Sequence, residues 1–263
     1  MYLALVAQDL RLLDGWVREA EWPHVACPTC GDGSLAIKSI ETEDCGESIR
    51  YRNHEDWEPE WLHGTFHGAL QCARSACQET VAIAGDYKTD MVRGADVGSY
   101  SDYNSIPYDS FFRLRFSIPP LTLVALPGRT PEAVATAVNG AAAVIWTDPN
   151  AAANRLRVAV EELLTANGQR RFEVKKHKRV RLTTHRRIEE FKQDRSEAAE
   201  ALEAVKWIGN EGSHAAELGL ADVLEGAGFL GYALRLLYDD EDEQLASRIR
   251  SVNRARGVGR RTR

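Results

Sequence analysis

The sequence has no long apolar run. Its most apolar early stretch, MYLALVAQDLRLLDGW, is broken by Asp9 and Arg11, too soon for a membrane-crossing helix of about 20 residues or for the core of a secretion signal. A cytoplasmic chain without membrane attachment is the expectation. A glycine-rich phosphate loop is also missing, which removes the commonest cradle for a nucleotide. Neither an internal repeat nor a long low-complexity tract is visible. Cysteine is scarce: five in 263 residues, the last of them Cys77. In a cytosolic chain such thiols act as metal ligands or stay free more often than they pair as disulfides.

The 44% hydrophobic content is ample for a buried core, in one large domain or two smaller ones. The net charge of -6 hides a strong segregation. QRRFEVKKHKRVRLTTHRR (169–187) sets Arg170, Arg171, Lys175, Lys176, Lys178, Arg179, Arg181, Arg186 and Arg187 against the single acid Glu173. DDEDE (239–243) is an acidic block, and SRIRSVNRARGVGRRTR after it holds arginines and no acids. A charge run of this kind is usually a solvated loop; its cation density also suits a phosphate backbone, and both readings stand.

Three regions differ in texture. Residues 1–90 hold every cysteine, an N-terminal helix and short β-like runs such as GALQC and ETVAIAG. Residues 91–128 read as an extended connector with FFRLRFSI and LTLVALPG as extended pieces. From 129 to 241 the pattern is helical, and 242–263 is an arginine-rich tail expected to be disordered when free. TPEAV (130–134) offers a threonine cap before proline, and DPNAA (148–152) an aspartate cap before proline. Leu156, Val160, Leu163 and Leu164 recur at helical spacing before Gly168; a third segment from about 184 is broken near QDRSE; a fourth, 222–238, aligns Val223, Ala227, Leu230, Leu234 and Leu237. Helices with one apolar stripe each must bury the stripes together, so the expected fold is α+β: a small β-rich zinc ribbon followed by an all-α bundle of about four to five helices.

Cys27-Pro-Thr-Cys30 and, after a long insert, Cys72-Ala-Arg-Ser-Ala-Cys77 form two ligand pairs. A pair at this spacing brings two thiolates to one ion through a tight turn, and a second pair opposite closes a tetrahedral, structural Zn²⁺ site with no open position for catalysis. Cys45 is left over, and His63 and His67 lie near enough in sequence to substitute for a ligand. Elsewhere, KWIGNEGSH (206–214) places Gly209 and Gly212 in a helical context, where each costs about 1 kcal/mol relative to alanine. The glycines suit a close approach of two helices, and Asn210 and His214 share one face at a four-residue spacing if the helix continues.

CPTCG, GALQCARSACQE, IPPLTLVALPGRTPEAV, NRLRVAVEELL, KWIGNEGSH and DVLEGAGFLGYALRLLYD, in this order, resemble the domain-of-unknown-function family 4145 over most of the chain, most weakly in 38–62, 86–108 and the tail. That family is similar to the HEPN helical-bundle proteins and occurs with restriction and phage-defence components of prokaryotes. The resemblance implies a HEPN-like bundle, a homodimer, and work on DNA, RNA or a defence-system protein partner. HEPN ribonucleases pair an arginine with a histidine a few residues later; carried over, His214 matches the histidine and Asn210 the polar residue, while Trp207, Ile208 and Gly209 stand where the arginine belongs. Arg155 or Arg157 could supply the cation from another helix, with Glu161 nearby, giving His214, Asn210 and Arg157 as the candidate catalytic group. A non-catalytic nucleic-acid- or partner-binding component is the favoured expectation. A metal-independent ribonuclease using His214 is the alternative.

Overall fold

The computed structural model describes residues 10–92, 108–211, 218–239 and 241–255. His214 and Gly212 lie outside the described residues, as do most of the expected N-terminal helix and the connector between 92 and 108.

The front of the chain is one antiparallel sheet of six strands, ordered β1-β6-β5-β4-β3-β2. The strands are β1 (Val17–Arg18), β2 (Val25–Ala26), β3 (Ser34–Asp44), β4 (His63–Cys72), β5 (Thr80–Met91) and β6 (Tyr108–Ile118), with the short helix α1 (Gly46–Tyr51) between β3 and β4. Burial alternates along β5, where Val81, Ile83 and Tyr87 face inward, as a sheet with one covered face requires. Opposite Phe66 the sheet carries Gly85, whose added Cβ would lie 2.7 Å from the phenyl ring and 2.0 Å from the Arg113 carbonyl. That gap lets Phe66 stack edge-on against Phe112 at 5.2 Å and Trp22 at 6.3 Å, forming the aromatic centre of the front core.

The expectation of a connector over 91–128 is corrected here. β5 runs on to Met91, and Tyr108–Ile118 pairs with it over its full length, while β1 adds to the far edge of β6. FFRLRFSI is therefore an interior strand. LTLVALPG, by contrast, is irregular, yet Leu121, Leu123 and Val124 are buried beneath the helices.

The rear is helical: α2 (Glu132–Val144), α3 (Pro149–Ala166), α4 (Thr184–Lys192), α5 (Ser196–Glu211), α6 (Leu220–Tyr238) and α7 (Glu241–Ala255). α3 starts as expected, with the Asp148 carboxylate accepting from the Ala151 N–H at 2.8 Å ahead of Pro149, a cap worth about 1 kcal/mol. It stops at Gly168, which takes φ +81°. The cap expected from Thr130 does not form. Thr130 sits in a turn closed by its N–H onto the Pro127 carbonyl, Pro131 takes the cap position, and no side chain caps the helix. Leu156, Val160, Leu163, Leu164, Ile188, Leu202, Val205, Val223, Leu230 and Leu234 join one core that is continuous with the sheet side through Leu121–Val124. Residues 241–255 are helix α7, so the described part of the expected disordered tail is ordered. Among the described residues, no helix is long and apolar enough to cross a membrane.

Candidate functional site

Two arrangements carry chemistry. The first is the thiol cluster. Cys27 and Cys30 lie on a turn that leaves β2, closed by Gly31 N–H onto the Cys27 carbonyl with Gly31 at φ +68°. Cys72 ends β4 and Cys77 lies in the turn before β5, where Cys77 N–H bonds the Arg74 carbonyl. The four Sγ atoms lie within 4.8 Å of one another, and Cys27–Cys77 and Cys30–Cys72 are each 3.8 Å apart. A disulfide would need about 2.05 Å. A tetrahedron with metal–sulfur bonds of about 2.3 Å has edges of about 3.8 Å, so the spacing fits four thiolates around one ion. Gly33 is the floor of this cradle: an added Cβ would lie 2.3 Å from Cys72 Sγ and 3.0 Å from Cys30 Sγ, and its N–H donates to Cys30 Sγ at 3.3 Å.

Within the cluster, Cys30 and Cys72 are shifted in opposite directions. At Cys30 burial pushes the thiol up, but the Gly33 N–H and the neighbouring thiols outweigh it and bring it down to about 7. Burial, aided by its donation to the other sulfurs, pushes Cys72 up to about 12. The cluster thus offers one ready thiolate to an incoming cation. Cys45, His63 and His67 stand apart from it: Cys45 contacts His63 at 3.2 Å, and His67 pairs with Glu41 at 3.6 Å.

The second arrangement is a cleft of about 650 Å³ on the helical half, lined by Arg157, Val158 and Glu161 of α3, residues 181–185 at the start of α4, and Lys206, Trp207 and Asn210 of α5. Gly209 sets its depth. A Cβ there would lie 2.7 Å from Arg157 Cβ and 3.1 Å from the Ala153 carbonyl, so only glycine lets α5 press onto α3. The Glu161 carboxylate is the hub: it accepts from Arg157 at 2.9 Å, Arg181 at 2.8 Å and the Thr184 hydroxyl at 3.0 Å. Lys206 is buried, with Nζ 3.3 Å from His185 Nδ1, 3.3 Å from Glu203 and 3.7 Å from the centre of the Trp207 ring. Trp207 itself is 57% exposed, leaving its other face open. The lining holds three cations against one carboxylate, an excess of positive charge suited to anions, although Arg157 and Arg181 share Glu161 and Lys206 pairs with Glu203 behind the lining.

Of the residues expected from the sequence, Arg157, Asn210 and Arg181 come together here, whereas Arg155 lies over Gly140 of α2 and lines no part of the cleft. Lys206, Trp207 and His185 were not anticipated; the one available signal was the helical spacing of Lys206 and Trp207 with Asn210. The basic segment forms a hairpin, β7 (Phe172–Lys175) with β8 (Lys178–Arg181), standing out in solvent. Its cations have unequal duties. Lys175 and Arg186 share Glu173, and Arg187 is buried, bonded to Thr165 and the Gln169 carbonyl. Burial lowers the Arg187 pKa from its ordinary value, as for a cation with a structural place. Lys176, Lys178 and Arg179 make no ion pair among the described residues, and Arg179 stacks on Phe172 at 3.9 Å.

Residues 139–254 match a family model described as Domain of unknown function (DUF4145). Residues 16–116 match a different one, Domain of unknown function (DUF8608). The resemblance expected over most of the chain is supported for the helical part, while the sheet with its cysteine turns matches a different family model; paired cysteines on tight turns are what any thiolate metal site needs. No curated protein and no solved structure matches the chain.

Proposed function

We propose that the protein is a zinc-ribbon, HEPN-like component of a prokaryotic restriction or phage-defence system that binds nucleic acid without cleaving it. The observation that carries this reading is the joining of the anion-suited cleft, with its half-open Trp207 face, to the β7–β8 hairpin through Arg181. Trp207 offers a stacking surface for a base of a single strand, and the hairpin cations offer phosphate contacts. Zinc as the resident ion is supported by the all-sulfur donor set and the 3.8 Å edges. Its role is structural, since four protein ligands leave no position for water or substrate. The defence setting, a cytoplasmic location and a homodimer rest on the family resemblance.

Among the described residues of the hairpin, Lys176, Lys178 and Arg179 are the cations that make no ion pair with a carboxylate. If these three meet phosphates of a single strand, the log-log salt slope of binding is about -2, a loss of roughly 15- to 20-fold between about 50 and 200 mM salt. Fluorescence anisotropy with labelled single-stranded RNA and DNA measures this directly. Absence of binding to either at low salt would overturn the nucleic-acid reading and leave a protein partner.

The ribonuclease alternative is favoured by one observation: Asn210 and Arg157 do face the same cleft. Against it, Arg157 is already engaged by Glu161, so it is not a free cation for the charge that develops on phosphate. Cleavage of RNA in the presence of chelator, abolished by His214→Ala, would establish the enzyme in place of the binder.

A further inference from the structure

A second set of reactive groups lies on the sheet side, away from both arrangements above. The end of β3 and the start of β4 close on Gly64, where an added Cβ would lie 2.0 Å from the Glu43 carbonyl and 2.8 Å from Cys45 N. This closure lets Cys45 N–H donate to the His63 carbonyl at 3.0 Å and sets Cys45 Sγ 3.2 Å from His63 Nε2. The other side of the imidazole is fixed. Nδ1 lies 3.2 Å from Ser48 Oγ and 3.2 Å from the Trp61 carbonyl. Ser48 is fully buried, accepts the His63 backbone N–H at 3.0 Å and reaches the Trp61 carbonyl at 2.9 Å.

A carbonyl oxygen only accepts, and the Ser48 hydroxyl proton is drawn to the carbonyls of Trp61 at 2.9 Å and His63 at 3.0 Å, so Nδ1 carries the ring proton. Nε2 then turns its lone pair toward the thiol. The His63 side chain is 48% exposed, which keeps the pair open to small solutes. We propose that Cys45 and His63 form a reactive thiolate–imidazolium pair, a modification site for small hydroperoxides. The Cys45 proton passes to Nε2; the thiolate attacks the hydroxyl oxygen of the peroxide, the S–O bond forming as the O–O bond breaks. The departing alkoxide or hydroxide takes the proton back from Nε2. Sulfur is oxidised to a sulfenic acid, the peroxide is reduced to an alcohol or water, and the histidine is regenerated.

The charged groups around the pair are of both signs. Glu47 of α1 lies 4.0 Å from Nε2, and Asp44 of β3, held by Tyr87 of β5 and by Arg52 at 2.7 Å, also faces the imidazole. Lys88 of β5 stands opposite His63 in the strand register. The Cys45 thiol is drawn below its ordinary range by the Ser48 N–H, with further help from the Glu47 N–H and the His63 charge.

The test treats the metal-loaded full chain with equimolar hydrogen peroxide and dimedone near neutral pH and locates the adduct by peptide mass spectrometry. An ordinary thiol is a few per cent ionised there, so a more acidic thiol held beside a base, even with its weaker intrinsic nucleophilicity, gives an adduct at Cys45 several-fold faster than on N-acetylcysteine. Cys45→Ser removes the adduct and His63→Gln slows it toward the free-thiol rate. On the unaltered protein, iodoacetamide alkylation of Cys45 should follow a titration below the normal thiol range. Reaction at the free-cysteine rate with an ordinary pH profile, or a rate unmoved by His63→Gln, overturns the proposal.

Discussion

Gly209→Ala and Gly228→Ala are the same chemical change in two helices and should act with opposite sign. Both exchanges gain about 1 kcal/mol of helix propensity. Gly228 is exposed on α6 with nothing within 4 Å of an added Cβ, so its variant keeps the gain. At Gly209 the new methyl would meet Arg157 Cβ at 2.7 Å and the Ala153 carbonyl at 3.1 Å. Neither is the free end of a flexible side chain, so α5 must lift off α3. Overpacking of this kind costs about 1–3 kcal/mol, which turns the propensity gain into a net loss of roughly 0–2 kcal/mol. Urea unfolding of the metal-loaded proteins, followed by far-ultraviolet circular dichroism, should move the midpoint up for Gly228→Ala and down for Gly209→Ala, with unchanged slope. Two equal upward shifts would mean that the α3–α5 contact is looser than described, and the glycine in KWIGN would lose its explanation.

Two further substitutions probe the sheet side. Gly33→Ala should abolish stoichiometric metal binding, because the methyl falls 2.3 Å from Cys72 Sγ; Gly31→Ala, with nothing within 4 Å but φ +68°, should be strained yet retain the ion, as read by elemental analysis. Tyr87→Phe removes the hydroxyl that donates to Asp44, leaving Arg52, and should cost about 1–2 kcal/mol near neutral pH. At Asp44 burial pushes the carboxyl up, but Tyr87 and Arg52 outweigh it and hold it below its ordinary range. A depressed carboxylate stabilises fully above its unfolded value of about 3.9 and loses that contribution as pH falls through its folded value. The stability gap between the parent and Tyr87→Phe should therefore narrow as pH drops below about 4, and a gap constant with pH would contradict this assignment.

What the sequence displayed and what it concealed follow from how local each signal is. Asp148-Pro149 and Gly168 mark the ends of α3 through bonds within a few residues, and the cysteine spacings announce a cluster because each pair sits on one tight turn. FFRLRFSI read as extended, but its place inside the sheet was not legible, because its partner β5 ends 17 positions earlier and the segment carries apolar residues on both faces, Phe112 inward and Phe116 outward. The β7–β8 hairpin was hidden because its two-residue turn is Lys176-His177, both at positive φ, where asparagine or glycine is the usual marker. The cleft has no local signature: Arg157 of α3, Arg181 of β8 and Lys206 of α5 meet only after two helices and the hairpin pack, and Glu161 gains its meaning from Arg157 and Arg181 together.

Metal removal should reach well beyond the thiols. Val25 and Cys27, on either side of the first cysteine turn's entry, belong to the same buried cluster as Leu121, Leu123 and Val124. A cleft of about 580 Å³ runs along that turn and is walled on its far side by Thr122, Val124 and Leu126 with Asn139 of α2. Val124 in turn fits against Gly231 of α6, where an added Cβ would come within 3.2 Å of its methyl group. The 121–126 segment has no hydrogen-bonded strand or helix of its own, so its position depends on what packs against each side. Thiolate zinc sites contribute on the order of 10–16 kcal/mol to small fingers, as much as the whole stability of a typical domain, about 5–15 kcal/mol. Loss of the ion frees the cysteine turn, withdraws one wall from Val124, and loosens α6 at its middle. Chelation should therefore lower the melting temperature of the helical circular dichroism signal itself. A helical transition unmoved by chelation would show that the sheet and the helices hold their stability separately.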